Sequence, residues 1–118
     1  MKGPPQAMEQ QKELLKGSTE SLLMALLAEQ PMYGYQLLKE LERRSNGYFR
    51  FREGTLYPAL HRLEQEQLLE GSWQRAPGGQ NRRYYSLTED GHFALATRLH
   101  QWDGFSRAVS LVLAPFNS

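Results

Sequence analysis

The last quarter of the chain has the pattern of one long helix. Thr88 is a suitable N-cap, Glu89 and Asp90 follow where the helix dipole favours acids, and Pro115 marks the end. One helical face carries, at alternating spacings of four and three, Leu95, Leu99, Trp102, Ser106, Val109 and Leu113. This is a heptad seam. A helix over residues 88–113 would be about 39 Å long. It would project from a small domain, and the simplest partner for its seam is a second copy of the chain.

A helix of this length leaves room for only one small domain before it. The chain has 118 residues and no cysteine, which excludes a disulfide framework, a thiolate nucleophile and a Cys-ligated zinc site. No apolar run approaches the roughly 18 residues of a membrane span, and the first residues lack the apolar core of a signal peptide. Residues 1–7 contain Gly3, Pro4 and Pro5 and are expected to be disordered. The composition predicts one globular domain without a membrane partner.

The formal net charge of +1 hides an uneven distribution of charge along the chain. Residues 43–83 carry eight arginines against four glutamates, which gives +4, and no lysine. The segments on either side are slightly acidic. Arginine presents a flat fork that suits phosphate groups and guanine edges. The charge pattern leaves two interpretations open, a nucleic-acid partner or a solvated surface with no partner.

Helix and strand patterns fill the region before the long helix. Four helices are predicted before the long one. They cover residues 8–16, the stretch from Ser18 or Thr19 to Pro31, the stretch that follows residues 32–35 and runs to about Arg44, and residues 53–66. Pro58 places the start of the last of these close to Gly54 or Thr55, because proline is tolerated only near a helix start. Strands are predicted over residues 68–75 and 82–87, joined by a Gly-rich loop. Residues 48–52 alternate aromatic side chains with arginine, and this fits either a short strand or an ordered loop.

The order helix, helix, helix, hairpin, long helix predicts a fold that is mainly α with a small β-hairpin. It is the order of a winged helix-turn-helix, in which the third helix enters the DNA major groove. The hairpin, called the wing, would touch the phosphate backbone or the minor groove. The long helix would be added to this domain for dimerisation.

Several motifs resemble the PadR-type transcriptional regulators, in their short class with a single C-terminal dimerisation helix. The resemblance is carried by residues 33–37 (YGYQL), 53–64 (EGTLYPALHRLE) and 83–88 (RYYSLT), with Trp73 and Gly91, and it spans about residues 14 to 113. It implies a bacterial, cytoplasmic homodimer that binds double-stranded operator DNA and usually represses. Many members of the family are released by a small aromatic or drug-like effector. The expected division is a disordered segment over residues 1–7, a winged-helix DNA-binding domain with its leading helix over 8–87, and a dimerisation helix over 88–114.

Eight residues are candidates for DNA contact. They are Tyr33, Thr55, Tyr57, His61, Arg62, Gln80, Arg82 and Arg83. The hydroxyls of Thr55 and Tyr57 would reach phosphates near a helix N-terminus, and His61 and Arg62 would reach base edges. For some of them a structural role is the alternative. Tyr33 or Tyr57 would then pack in the core, Arg62 would pair with Glu66, and Arg83 would form a salt bridge, for example to Glu70. The tip of this wing carries fewer charges than is common in the family, so Gln80 would act as a neutral donor.

The seam of the long helix suggests a dimer interface and a ligand site. The predicted interface residues are Leu14, Leu95, Leu99, Trp102, Val109 and Leu113. The resemblance implies that Trp102 pairs with its dimer mate around a planar aromatic ligand, with Leu99 and Phe105 lining the same space. In the alternative, Trp102 only fills the interface.

Other chemistries find no support in the sequence. His61, His92 and His100 do not have the spacing of a metal site, and Gly78-Gly79 lacks the lysine and the strand–helix context of a phosphate loop. No catalytic arrangement can be argued, so the prediction is a protein without enzyme activity, cofactor or metal. The competing function is a winged helix used as a protein-interaction module without sequence-specific DNA binding, which the low net charge favours.

Overall fold

A computed structural model describes residues 18–116 and has the predicted order of elements. The helices are α1 over residues 18–29, α2 (Gly34–Arg44), α3 (Glu53–Gln65) and α4 (Glu89–Leu113), and a 3-10 turn follows at Ala114–Phe116. The strands are β1 (Met32–Tyr33), β2 (Leu69–Arg75) and β3 (Asn81–Leu87). The mainly α winged-helix fold with a long C-terminal helix is confirmed. The segment 1–7, the leading helix over 8–16 and the interface residue Leu14 lie outside the described residues.

The first three helices enclose one apolar core. Each contributes the leucines of one face, represented by Leu23 of α1, Leu37 of α2 and Leu60 of α3, all without measurable exposure. The core continues to the sheet through Leu69 and Tyr85. Because the apolar face of α3 is committed to this core, its other face lies in solvent.

The sheet has three strands, whereas the sequence predicts a two-stranded hairpin. The order is β1-β3-β2, and both pairs of neighbours are antiparallel. Strand β1 has two residues, with Met32 opposite Tyr85 and Tyr33 opposite Tyr84. A strand this short has no alternation of polar and apolar residues that a sequence pattern could reveal. Its consequence is that Tyr33 is fixed against the wing.

Pro58 lies deeper in α3 than the sequence predicts. The helix begins at Glu53, after the extended residue Arg52, so Pro58 is its sixth residue. Proline at this point cannot donate to the carbonyl of Gly54, four residues before it. Gly54 and Pro58 are both exposed, so water can take the place of the missing donor.

The long helix α4 begins as predicted. The Thr88 hydroxyl accepts a hydrogen bond from the Gly91 N–H at 3.0 Å and donates to the Gln67 carbonyl at 2.8 Å. The prediction of Leu95 as an interface residue is wrong, because Leu95 is 7% exposed and packs in the core of its own chain. From Leu99 onward the helix projects from the domain, and the chain measures 54 × 30 × 29 Å. No helix among residues 18–116 combines the length and apolar character needed to cross a membrane.

Candidate nucleic-acid interface

The eight arginines of residues 43–83 divide into two groups. Four hold carboxylates, namely Arg43, Arg44, Arg62 and Arg83. The other four have no ion pair within residues 18–116, and they are Arg50, Arg52, Arg75 and Arg82. The positive charge available to a partner is therefore concentrated on these four, called here the unpaired arginines.

The unpaired arginines flank α3 along the chain. Arg50 and Arg52 belong to the segment that leads into the helix, and Arg75 and Arg82 belong to the wing that follows it. By contrast, Arg43 and Arg44 lie at the end of α2 and share the carboxylate of Glu40. Hydrogen bonds from these two arginines, Arg43 foremost, lower the pKa of Glu40 to about 2. The Glu40 carboxylate is ionised at neutral pH and neutralises part of the positive charge of Arg43 and Arg44.

Residues 48–52 form the ordered loop that was one of the two predicted alternatives. Phe49 and Phe51 stack with ring centroids 5.5 Å apart, and both pack against the core. Tyr48, Arg50 and Arg52 alternate with them and are exposed. The alternating aromatic and basic pattern of the sequence therefore places two of the unpaired arginines at the surface.

Tyr33 and Arg82, both predicted DNA-contact residues, are in direct contact. The Arg82 guanidinium carbon lies 4.3 Å from the centroid of the Tyr33 ring. The Tyr33 ring in turn meets Tyr84 edge-on, at 5.3 Å between centroids. A guanidinium stacked on a ring keeps the donors in its own plane free for an anion. The tyrosines thus orient Arg82 without neutralising it.

Tyr57 joins this area from α3. Its ring lies against Gly34, the residue after Tyr33, where a Cβ atom would come within 2.8 Å of the Tyr57 Cζ. Tyr57 is 44% exposed, so it lies at the surface and not in the core. Burial of part of the ring, and then the nearby Glu53 carboxylate, raise the pKa of Tyr57. The hydroxyl is therefore protonated at neutral pH and can donate to a phosphate oxygen.

Thr55 and His61 lie on the solvent side of α3. Both are exposed, whereas Leu56, Ala59, Leu60 and Leu63 of the same helix are buried. Gln80, at the tip of the wing, is also exposed, and its carbonyl accepts a hydrogen bond from the Ala76 N–H at 2.7 Å. These three candidates are free to meet a partner.

Two of the predicted DNA-contact arginines are held by carboxylates that the sequence did not indicate. Arg62 is half-buried and donates from Nε to Glu20 Oε2 at 3.0 Å, so its partner is Glu20 and not Glu66. Arg83 pairs with Glu64 of α3 at 2.5 Å, not with Glu70. Arg83 also lies on the opposite face of β3 from Arg82, since side chains alternate along a strand. It connects the wing to α3 and is better explained as a structural residue.

The projecting part of α4 carries an exposed apolar face. Leu99, Trp102, Phe105, Val109 and Leu113 are between 37% and 60% exposed. The rings of Trp102 and Phe105 are 5.9 Å apart between centroids and are tilted by 36°. The predicted ligand-lining residues are therefore neighbours on one helix face. Within residues 18–116, no three His, Cys, Asp or Glu side chains are grouped as a metal site would require.

A winged helix whose third helix is preceded and followed along the chain by exposed arginines is typical of DNA-binding transcriptional regulators. Comparisons with known proteins give the family. Residues 23–97 match the model of the transcriptional regulator PadR-like family. The chain is 42% identical over 82 residues to the transcriptional regulator Rv3488 of Mycobacterium tuberculosis, covering 70% of this chain and 73% of that protein. This protein belongs to the PadR-like family of transcriptional regulators.

Solved structures agree with this assignment. A PadR-like transcriptional regulator from Bacillus cereus superimposes with a TM-score of 0.75 at 30% identity, covering 86% of this chain and 96% of that one. A Streptococcus transcriptional regulator gives a TM-score of 0.75 at 32% identity, covering 84% and 95%. The similarity extends over nearly the full length of the two solved chains.

Proposed function

We propose that this protein is a homodimeric, operator-binding regulator that acts in the bacterial cytoplasm. The observation that carries the proposal is that the unpaired arginines lie in the segment that leads into α3 and in the wing that follows it, while the face of α3 that carries Thr55 and His61 is exposed. In the proposed complex α3 enters the major groove with His61 and Arg62. The backbone contacts come from Tyr33, Thr55, Tyr57, Gln80 and Arg82. Residues 8–87 would form the DNA-binding domain and residues 88–114 the dimerisation helix.

Dimerisation is supported by the apolar face of α4. Half-exposed side chains such as Trp102 and Leu113 lie on a helix that projects from its own domain. Full burial of an exposed apolar side chain contributes about 1.5–3 kcal/mol, and roughly half of that remains to be gained by each of these half-exposed side chains. A second copy of the same helix covers this face, and its two-fold symmetry matches a symmetric operator.

The proposed regulator is a repressor that a small effector releases from DNA. Leu99, Trp102 and Phe105 would line a slot between the two copies of α4, in which a planar aromatic compound stacks between the indole rings. An acridine dye is a suitable probe, with a Trp73→Phe variant so that Trp102 is the single tryptophan. We expect quenching of its emission and release of bound operator. Unchanged emission would remove the effector from the proposal and leave the DNA-binding function intact.

Replacing Arg82 by glutamine tests the DNA interface. One fewer phosphate-facing charge makes the plot of log affinity against log salt shallower by about 0.9. Affinity for operator and for random duplex falls by a similar factor, because a backbone contact carries no sequence information. The measurement is fluorescence anisotropy of labelled duplexes over a salt series.

The matched control is Arg43→Gln. The Arg43 side chain is 68% exposed but pairs with Glu40 at 2.8 Å, and it belongs to the last turn of α2 and not to α3 or the wing. We expect its salt dependence to equal that of the unmodified protein. If the Arg82 variant behaves in the same way as this control, Arg82 does not face a phosphate.

A further inference from the structure

Glu20 is a buried carboxylate that joins three helices. It lies on α1 and is 7% exposed. Its Oε2 accepts from Nε of Arg62 on α3 at 3.0 Å, and its Oε1 accepts from Nη1 of Arg98 on α4 at 3.3 Å. A buried carboxylate is stable only when it is paired. Each oxygen of Glu20 therefore has its own arginine, and the two arginines come from the DNA-facing helix and the long helix.

The way in which Arg62 is held leaves most of its donors free. Only its Nε donates to Glu20, and no described residue accepts from its two terminal nitrogens. About a third of the Arg62 side chain is exposed. A guanidinium fixed at Nε presents its terminal nitrogens in a set direction, which suits a guanine edge or a phosphate.

The oxygen of Glu20 that Arg62 does not use is the one that Arg98 occupies. Arg98 donates to Oε1, and Arg62 reaches the carboxylate through Nε at Oε2 alone. When Arg98 withdraws, Oε1 is free to accept a terminal nitrogen of Arg62, and the pair closes into a two-pronged ion pair. Arg62 would then lose a donor that points toward DNA. Arg98 precedes Leu99 and lies about one turn before Trp102, so a shift of α4 at its apolar face moves Arg98.

We propose that Arg98 and Glu20 are positioning residues through which the position of α4 sets the availability of Arg62 for DNA. This inference rests on the proposed operator binding. It gives the dimerisation helix a direct route to the DNA-facing helix within each subunit. The contact between Glu20 and Arg98 requires no bound ligand, so a change in the geometry of the dimer is sufficient to alter it.

A double-mutant cycle on the full-length protein tests the coupling between Arg98 and Arg62. The probe is a duplex that the protein has selected from a random library, together with duplexes carrying single base-pair changes. Arg62→Gln is expected to weaken operator binding about tenfold and to remove discrimination at one position of each half-site. Arg98→Gln is expected to cause a loss of about fivefold at the same position. The double variant should bind no more weakly than Arg62→Gln alone, because both act through Arg62.

Three further variants separate positioning from a purely structural role. Arg98→Lys retains a cation for Oε1 and should restore discrimination, while Arg98→Met, which keeps the apolar stem, should reproduce the loss. Arg107 lies further along α4 and pairs with Asp103 at 3.1 Å. Arg107→Gln should leave operator binding unchanged.

Two results overturn the inference. One is an additive loss in the double variant, which would show that Arg98 acts independently of Arg62. The other is Arg98 variants that behave in the same way as Arg107→Gln. Failure of the unmodified protein to select any duplex is a different result, which contradicts the proposed function itself.

Discussion

Replacing Trp102 and Val109 by glutamate is expected to turn the dimer into a monomer. Both residues lie on the apolar face of α4, and in a dimer each new carboxylate would be buried against the partner helix without a counter-ion. Loss of the dimer also unlinks the two half-sites. Operator affinity should fall by a factor of about 100 or more, because linked sites gain roughly that much from effective concentration. Sedimentation equilibrium gives the mass, and titration of labelled operator gives the affinity.

A matched control places the same charges on another face of the helix. His100→Glu with Ala108→Glu adds two carboxylates to exposed positions that the helical periodicity directs away from the seam. This variant should stay dimeric and keep most of its operator affinity. A monomer from the control, or a dimer from the seam variant, would place the interface elsewhere.

Gly91→Ala is expected to destabilise the domain by about 3 kcal/mol, the upper part of the range for overpacking. A Cβ atom at this position would collide with the backbone carbonyl of Leu68 and would lie 2.5 Å from the Leu87 Cδ1. The carbonyl cannot move away easily, because it accepts a hydrogen bond from the Thr88 backbone N–H at 3.0 Å. The free energy of unfolding in urea, at one protein concentration, measures the effect.

Gly104→Ala in the same helix is the control for Gly91. A Cβ atom there would meet nothing within 4 Å, so the substitution gains only the helix propensity of alanine. We expect the free energy of unfolding to rise by about 1 kcal/mol. Equal effects at the two glycines would contradict the close contact of α4 with Leu68.

Features of the fold that depend on neighbours in the chain were predictable. The Thr88 cap followed by acids, together with the heptad spacing, predicted α4, and Gly-rich residues between two strand patterns predicted the wing. These signals are local, since they depend on capping, turn preference and helical period. The exposed arginines of residues 48–52 also left a signal, in their alternation with aromatic residues.

Features that depend on distant residues were not predictable from these patterns. Arg62 pairs with Glu20 across 42 positions, and Arg83 with Glu64 across 19, so the helical spacing that suggested Glu66 was no guide. Leu95 continues the seam in the sequence but belongs to the domain core, because α4 rests on the domain over its first turns. The heptad pattern alone does not show where an intramolecular contact ends and an intermolecular one begins.

Operator binding is tested by selection of duplexes from a random library at about 150 mM salt. We expect enrichment of a two-fold symmetric sequence whose half-sites lie about 34 Å apart, one helical turn of DNA. The selected duplex should bind about 1,000-fold or more tightly than unselected DNA. No enriched sequence, or equal affinity for selected and unselected duplexes, would contradict operator binding and would favour a winged helix that binds protein partners.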